Sequence, residues 1–218
     1  MLQCYSRQRI VIIFSINHMI NLKQVYVSDN SNITIGRVER RNGKMHFIKH
    51  FNTVTKHRFN VFVHCVKAGI IFQGLTHDLS KYSPTEFIEG ARFYLGYKSP
   101  TEREREIYGY SKAWMHHKGR NKHHFEYWTD YSTVTRSLEP VKMPLKYVKE
   151  MFCDRVAAGK VYLGDKYTND NPISYFLGGK AKTYMHPETA ALLEKWLLIL
   201  QKDGEDAVFK EIRNTKSY

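Results

Sequence analysis

The chain has 218 residues, enough to bury one sizeable core but too few for two large domains. Hydrophobic residues make up 42% of the sequence and charged residues 25%, a balance that excludes disorder over most of the length. Lys and Arg outnumber Asp and Glu by 34 to 21, and the resulting net charge of +13 favours phosphate-bearing partners, either small molecules or nucleic acid.

Neither a membrane span nor a disulfide framework is indicated. The apolar run at residues 10–16 is much shorter than the roughly 20 apolar residues of a transmembrane helix. Cys4, Cys65 and Cys153 lie far apart with no CxxC spacing, which argues against disulfides and against a thiolate zinc site. We therefore expect a cytoplasmic protein with no membrane partner.

Residues 1–44 differ in character from the rest of the chain. The run 10–16, Gln24–Val27 and Ile33–Ile35 are typical of short strands. Purine-rich codons for the Arg-Arg-Asn-Gly-Lys stretch at residues 40–44 would resemble a bacterial ribosome-binding site, so a further hypothesis is that native translation starts at Met45. We interpret residues 1–44 as a short β or irregular N-terminal extension and residues 45–218 as one helical domain.

Helical signals dominate from Met45 onward. Two helices open with Ser-Pro-Thr-Glu, at Ser83 and at Ser99, with Ser as N-cap, Pro at the first helical position and Glu completing a capping box. The charge run that follows Ser99, residues 102–106, is interpreted as a solvated helix face, and residues 162–180 as a loop. Further helices are predicted at residues 53–69, at residues 144–159 and from Pro187 onward.

The positions of the 11 histidines indicate a metal site. His57 and His64 share one face of the first helix about 10.5 Å apart along its axis, too far for one ion to take both. His77 is followed directly by Asp78, and four further histidines fall in one short block. Imidazole and carboxylate are the ligands that zinc, iron, manganese and nickel favour when thiolates are absent. The four histidines of the block are His116, His117, His123 and His124.

Asp154 lies on the helix 144–159, on the same stripe as Tyr147 and Met151. A carboxylate that borders an apolar face needs a partner, because burying an unpaired charge costs several kcal/mol. A metal ion is one candidate partner, and Arg155 or a backbone cap is the alternative. For His64 the alternative to ligation is the role of a hydrogen-bonded core histidine.

The order His, His-Asp, Asp resembles that of the superfamily of HD-domain metal-dependent phosphohydrolases. The segment from His77 to Lys81, His-Asp-Leu-Ser-Lys, is similar to the His-Asp-Ile-Gly-Lys run of that superfamily, with Ser80 in place of glycine. The resemblance implies an all-α, HD-domain-like helical bundle. It also implies that a first ion is held by His77, Asp78 and Asp154 together with His57 or His64, of which His57 has the more suitable spacing.

Members of the superfamily with two ions add histidines between the His-Asp pair and the last Asp, the interval that holds His116, His117, His123 and His124 here. The implied cofactor is one or two divalent ions of Mn, Fe, Ni, Co or Zn. The implied activity is hydrolysis of a phosphoester in a small phosphorylated substrate, such as a nucleotide. Asp78 would hold the ions, Lys81 and Arg120 would neutralise the phosphate, and Asn121 would help to shape the pocket.

The stretch from Met45 to about Arg213 also resembles a family of uncharacterised bacterial and phage proteins. Its members carry a His-Asp-Leu-Ser-Lys-Tyr-Ser-Pro segment and a His-His-Lys-Gly-Arg-Asn-Lys-His-His-Phe-Glu-Tyr-Trp block, and the resemblance brings no known activity. Two rivals to hydrolysis therefore stay open. One is a di-iron oxygenase of HD type, and the other is a basic module that binds nucleic acid through residues 116–124 and keeps a structural metal site.

Overall fold

The computed structural model describes residues 11–12, 24–29, 32–37 and 45–218. The chain divides into two compact units, Met1–Gly43 and Lys44–Tyr218. In the first unit, three antiparallel strands form a sheet in the order β1-β2-β3. The predicted strands at 24–27 and 33–35 fall within β2 and β3, whereas most of the run 10–16, and Cys4, lie outside the described residues. The strands are β1 (Val11–Ile12), β2 (Gln24–Asp29) and β3 (Asn32–Arg37).

The second unit is mostly helical, which confirms the predicted all-α fold class. A small antiparallel hairpin of β4 (Thr129–Ser132) and β5 (Ser137–Pro140) is inserted before the sixth helix. Short 3₁₀ turns lie at Leu79–Tyr82, Phe125–Tyr127 and Gly164–Lys166. The helices are α1 (Phe47–Ala68), α2 (Ile71–Thr76), α3 (Pro84–Arg92), α4 (Pro100–Tyr108), α5 (Lys112–Lys118), α6 (Leu145–Leu163), α7 (Asp170–Gly178), α8 (Ala181–Tyr184) and α9 (Pro187–Asn214).

The hydrophobic core lies where α1, α6 and α9 pack together. Val61 of α1, Phe152 of α6 and Trp196 of α9 are fully buried in it, and the rings of Phe152 and Trp196 meet edge-on with their centroids 6.2 Å apart. Burying side chains of this size stabilises the fold by roughly 1.5–3 kcal/mol each. This packing sets α1 against α6, so that His57 and Asp154 face each other.

The two Ser-Pro-Thr-Glu segments start helices as predicted, but the predicted capping boxes are wrong. Ser83 and Ser99 occupy the N-cap positions of α3 and α4, with the prolines in the first turn. Neither serine side chain accepts a capping hydrogen bond. Glu86, the last residue of the first segment, contacts histidines of α5 instead.

Two further local predictions need correction. Glu104, in the run predicted to be solvated, is buried. Its carboxylate accepts hydrogen bonds from Ser111 Oγ at 2.5 Å and from the backbone N of Lys112 at 2.9 Å, which ties α4 to the start of α5. The region 162–180, predicted as a loop, contains α7.

Within the described ranges, no helix has both the length and the apolar character needed to cross a bilayer. Cys65 and Cys153 are free thiols in the buried core.

Candidate metal centre

The His77-Asp78 pair occupies a tight turn between α2 and the 3₁₀ turn at Leu79–Tyr82. Asp78 has left-handed backbone angles, φ 52° and ψ 29°, a conformation that costs a non-glycine residue roughly 1–2 kcal/mol and that Asp and Asn tolerate best. Arg58 of α1 holds the turn, because its Nε donates to the carbonyl of His77 at 2.8 Å and its Nη2 to that of Leu75 at 3.1 Å. Both His77 and Asp78 are thereby buried, and strain of this kind is typical of functional sites.

Four side chains from α1, this turn and α6 meet at one point, which we call site A. His57 Nε2 lies 3.0 Å from Asp154 Oδ1 and 3.8 Å from Asp78 Oδ2. His77 Nε2 lies 3.3 Å from Asp78 Oδ2 and 3.6 Å from Asp154 Oδ1. Ligand atoms held about 2.1 Å from one ion are themselves roughly 3–4 Å apart, so the spacing fits a shared divalent ion.

A second group, which we call site B, lies on the other side of the same aspartate. His117 Nε2 is 3.3 Å and His123 Nε2 is 3.4 Å from Asp78 Oδ1. His124 completes the group, in which one ligand atom from each residue lies within 4.8 Å of the others. Asp78 thus offers Oδ2 to site A and Oδ1 to site B, the arrangement of a bridging carboxylate.

Six of the candidate ligand atoms, five of them histidine Nε2 atoms, are buried and have no hydrogen-bond partner among the described residues. Buried polar atoms almost always have a hydrogen-bond partner, so a convergence of such atoms fits a donor set for metal ions. A nitrogen and oxygen set without thiolate suits Mn, Fe, Co, Ni or Zn. Among the described residues, the atoms without a hydrogen-bond partner include Asp78 Oδ1 and Nε2 of His57, His77, His117, His123 and His124.

Two glutamates hold the opposite edges of these rings. Glu150 Oε1 lies 2.9 Å from His77 Nδ1 and 3.1 Å from His123 Nδ1. Glu86 Oε2 lies 2.7 Å from His117 Nδ1. A carboxylate that accepts from Nδ1–H fixes the tautomer and directs Nε2 toward the metal.

The electrostatics favour the metal-binding forms of most of these groups. Although burial opposes it, the cationic neighbours His77 and Lys81 hold the pKa of Asp78 well below its usual value. Burial also opposes the lowering of the pKa of Asp154, but contacts with His57 and His77 hold that pKa well below its usual value. Burial, together with the charge on Lys81, lowers the pKa of His57.

His77 differs from the other imidazoles. Burial lowers its pKa, but Asp78, Asp154 and Glu150 overcome that effect and raise the pKa well above the usual value. These carboxylates thus favour the protonated ring of His77, whereas a metal ion binds only an unprotonated ring nitrogen.

His64 and His116, predicted as ligands, belong to neither site. His64 Nδ1 donates to the carbonyl of Cys153 at 3.3 Å, and its Nε2 accepts from Lys160 Nζ at 3.3 Å. Two helical turns carry His64 past the centre that His57 reaches. His116 is partly exposed, and its Nδ1 lies 2.6 Å from Glu86 Oε1, so it contacts a carboxylate that positions His117.

The three further residues predicted to act on substrate lie in different surroundings. Lys81 Nζ is 2.5 Å from Asp78 Oδ2, directly at site A. Asn121 Nδ2 donates to Ser80 Oγ and to the carbonyl of His117, both at 2.8 Å, and so holds the loop that carries a ligand. Arg120 is exposed and donates to the carbonyl of His116 at 3.3 Å, so its predicted contact with the phosphate stays a prediction.

A cavity of about 740 Å³ opens beside both sites. Its wall includes His57 and Asp154 of site A, His117 and His124 of site B, and Lys81. Arg120 and Asn121 are not among its lining residues within the described part of the chain. Cavities of about 300–1,000 Å³ are the usual size for small-molecule sites.

The sequence alone did not indicate Glu86 or Glu150 as residues of the site. Glu150 lies four residues before Asp154 on α6, so the two share a helix face, and this spacing was the available signal. Glu86 stands in a Ser-Pro-Thr-Glu segment, where a capping role is the ordinary interpretation.

Residues 46–199 match the model of a family described as "Family of unknown function (DUF5662)". The chain belongs to this family. The DUF5662 match contains every residue of sites A and B. No curated protein and no solved structure matches the chain. Membership of DUF5662 does not specify an activity.

Proposed function

We propose that the protein is a metal-dependent phosphohydrolase that cleaves a phosphoester at a two-ion centre of the HD-domain type. One observation carries the proposal: the two carboxylate oxygens of Asp78 face two separate ligand groups, sites A and B. Two metal ions about 3.5–4 Å apart stabilise both the attacking and the leaving oxygen of a phosphoryl transfer.

The residues around the two sites would have different roles in the proposed hydrolysis. When bound, the ions would supply a hydroxide at neutral pH and neutralise charge on the phosphoryl oxygens. Glu150 and Glu86 keep the ligand imidazoles aimed at the ions. Lys81, which lies in the cavity wall beside Asp78, would donate to a phosphate oxygen and balance its charge.

The cavity also supports an anionic substrate. Arg105 lines it and forms no ion pair with a carboxylate in the described part of the chain. Arg105 lies over the ring of Trp114, 5.2 Å from its centroid. Unpaired guanidinium groups in a cavity wall favour ligands with phosphate or carboxylate groups.

The test is metal-dependent phosphate release. The purified protein, stripped with a chelator, should hydrolyse p-nitrophenyl phosphate or bis-p-nitrophenyl phosphate after reconstitution with Mn²⁺, Co²⁺ or Ni²⁺. Asp78→Asn should abolish this activity, whereas Asp130→Asn, an exposed change on the hairpin, should leave it unchanged. Absence of metal-dependent hydrolysis with either compound and any of these ions would refute the proposal.

A di-iron oxygenase is the second candidate, because a histidine-rich set with a bridging carboxylate also suits iron. Iron loading followed by a paramagnetic signal and oxygen uptake would favour it over hydrolysis. The nucleic-acid hypothesis has less support, because His117 and His123 are buried and cannot contact a nucleic acid. Within residues 116–124, that role would fall mainly to the lysine and arginine side chains. It predicts that Asp78→Asn keeps nucleic-acid binding intact.

A further inference from the structure

Two polar side chains lie in the cavity wall just beyond the metal ligands. Arg155 follows Asp154 on α6, and Glu126 lies two residues after His124 in a 3₁₀ turn. Arg155 Nε and Glu126 Oε2 are both buried, and neither has a hydrogen-bond partner among the residues that the structure describes. One is a donor and the other an acceptor.

The surroundings of Arg155 leave its hydrogen-bonding capacity unused. One face of its guanidinium lies over the ring of Phe176, with Cζ 5.8 Å from the centroid. Arg155 interacts electrostatically with Asp154, with Tyr175 and, more weakly, with Glu126, but it forms no ion pair within the described part of the chain. Leaving a buried donor and a buried acceptor unsatisfied costs free energy, and each such group in a native protein calls for an explanation. A ligand that enters between these two side chains would give each of them a hydrogen-bond partner.

Three tyrosines of the same cavity offer flat apolar surfaces. Tyr97, Tyr175 and Tyr184 line it and are 67%, 71% and 63% exposed. Each makes no stacking or edge contact with another aromatic ring in the described ranges. Exposed aromatic rings in a cavity wall can hold planar heterocycles, because a planar heterocycle stacks on an aromatic face.

We infer that Arg155 and Glu126 form a specificity subsite that recognises a planar group carrying a hydrogen-bond acceptor next to a donor. The inference rests on the proposed function and names the part of the substrate away from the scissile bond. Arg155 donates to a carbonyl oxygen, and Glu126 Oε2 accepts from the adjacent ring N–H. A nucleoside monophosphate whose base has a lactam edge has this chemistry, and a base without that edge does not.

The experiment compares substrates that differ only at this edge. With the Mn²⁺-loaded protein, kcat and KM are measured for guanosine, adenosine and ribose 5′-phosphates and for p-nitrophenyl phosphate. We expect guanosine monophosphate to exceed the adenosine compound in kcat/KM by about 10-fold or more, because a site built to pair with a polar edge rejects a mismatched one. A 5′-phosphorylated oligonucleotide that begins with guanosine tests whether the substrate is a free nucleotide or the end of a nucleic-acid strand. Cleavage at a rate comparable with that of guanosine monophosphate supports the subsite and indicates that the substrate is a strand end.

Variants of the two residues distinguish an effect on substrate recognition from an effect on metal-dependent catalysis. Arg155→Met should raise KM for guanosine monophosphate about 10-fold and leave its kcat and the hydrolysis of p-nitrophenyl phosphate nearly unchanged. Glu126→Ala should also remove the preference for guanosine over adenosine. Arg103→Met is the matched control, since Arg103 lies on α4 but is exposed and outside the cavity lining, and it should change none of these constants.

Thermal unfolding gives a readout that does not depend on turnover. Met keeps the length of the side chain but loses the contact of the guanidinium with Phe176, so Tm should fall by only about 2–4 °C. A much larger fall in Tm for Arg155→Met would show that the guanidinium supports the fold, and would overturn the inference.

The two proposals fail differently. If no phosphoester is hydrolysed, the proposed function has failed. If p-nitrophenyl phosphate is hydrolysed but the wild type treats the guanosine, adenosine and ribose compounds alike, or if Arg155→Met affects all substrates equally, the subsite is refuted and the hydrolase stands.

Discussion

Glu150 accepts a hydrogen bond from Nδ1 of His77 at 2.9 Å. The same oxygen lies 3.1 Å from Nδ1 of His123, so one carboxylate positions a ligand of site A and a ligand of site B. Against the effect of burial, His123 and His77 lower the pKa of Glu150, which keeps it ionised at neutral pH. The two sites are therefore joined twice, through the bridging Asp78 on one edge of the rings and through Glu150 on the other.

Replacing Glu150 should weaken both sites at once. In Glu150→Ala, neither Nδ1–H has this acceptor and both rings can turn, so metal affinity should fall by about 10–100-fold. Glu150→Gln should lose less, because an amide oxygen can still accept. Affinities are measured by competition with a chromophoric chelator, and Glu194→Gln, which alters an ion pair of α9 with Lys182, is the control. Equal affinity in the alanine variant and the wild type would contradict the positioning role.

Metal binding should stabilise the protein through Asp78. A ligand at 100 times its Kd stabilises the folded state by about 2.7 kcal/mol, which raises Tm by about 5–10 °C in a chain of this size. Asp78→Asn should remove this rise. Asparagine tolerates the left-handed backbone at this position, so the metal-free variant should fold, whereas Asp78→Ala should lose a further 1 kcal/mol or so. A full metal-dependent rise in Asp78→Asn would show that the ions bind elsewhere.

The candidate metal ligands could be predicted from the sequence because their order along the chain carries the information. His57, His77, Asp78 and Asp154 are recognisable without knowing how the helices cross. The choice between His57 and His64 could not be made from periodicity, since both lie on one face of α1. The choice depends on where along its length α1 packs against α6. That packing brings Asp154 to His57 and the Cys153 carbonyl to His64.

The residues that support the ligands are harder to predict. Glu86 satisfies every local rule for a helix cap, yet its carboxylate lies against His116 and His117, because two histidine N–H groups offer stronger partners than a backbone terminus exposed to water. Its role depends on the packing of α3 against α5. Interactions between residues distant in sequence leave no local pattern.

Stability should fall as the pH drops, in part through His64. Burial and the neighbouring charge of Lys160 lower the pKa of His64 from 6.5 to about 4. As the pH falls from 6.5 towards 4, the unfolded chain therefore takes up a proton that the folded protein refuses, which favours unfolding. The loss at pH 5 is on the order of 2 kcal/mol. It is absent above pH 7, where His64 is neutral in both states.

Urea unfolding of the chelator-treated protein at pH 7 and at pH 5 measures this effect. In His64→Gln, the difference in unfolding free energy between the two pH values should be smaller than in the wild type by that amount. The other buried histidines are present in both proteins and cancel in the comparison. The same pH dependence in both would rule out His64 as a source of acid sensitivity.

The packing of His50 against α3 requires a glycine. A Cβ at Gly90 would lie 2.1 Å from His50 Nε2 and 2.4 Å from its Cε1. The ring cannot move away easily, because it is 7% exposed and packs on Phe87 and Tyr94 with centroids 5.2 and 6.1 Å away. Gly90→Ala should therefore cost about 1–3 kcal/mol, seen as a Tm lower by about 3–10 °C.

A double-mutant cycle isolates this contact. Adding His50→Ala to Gly90→Ala removes the clash, so the glycine change should cost much less in that background and the two effects should not add. Gly178→Ala is the control, since a Cβ there meets no described atom within 4 Å. If Gly90→Ala lowers Tm equally with and without the His50 ring, the cost lies in the backbone of α3 and the predicted contact with His50 is wrong.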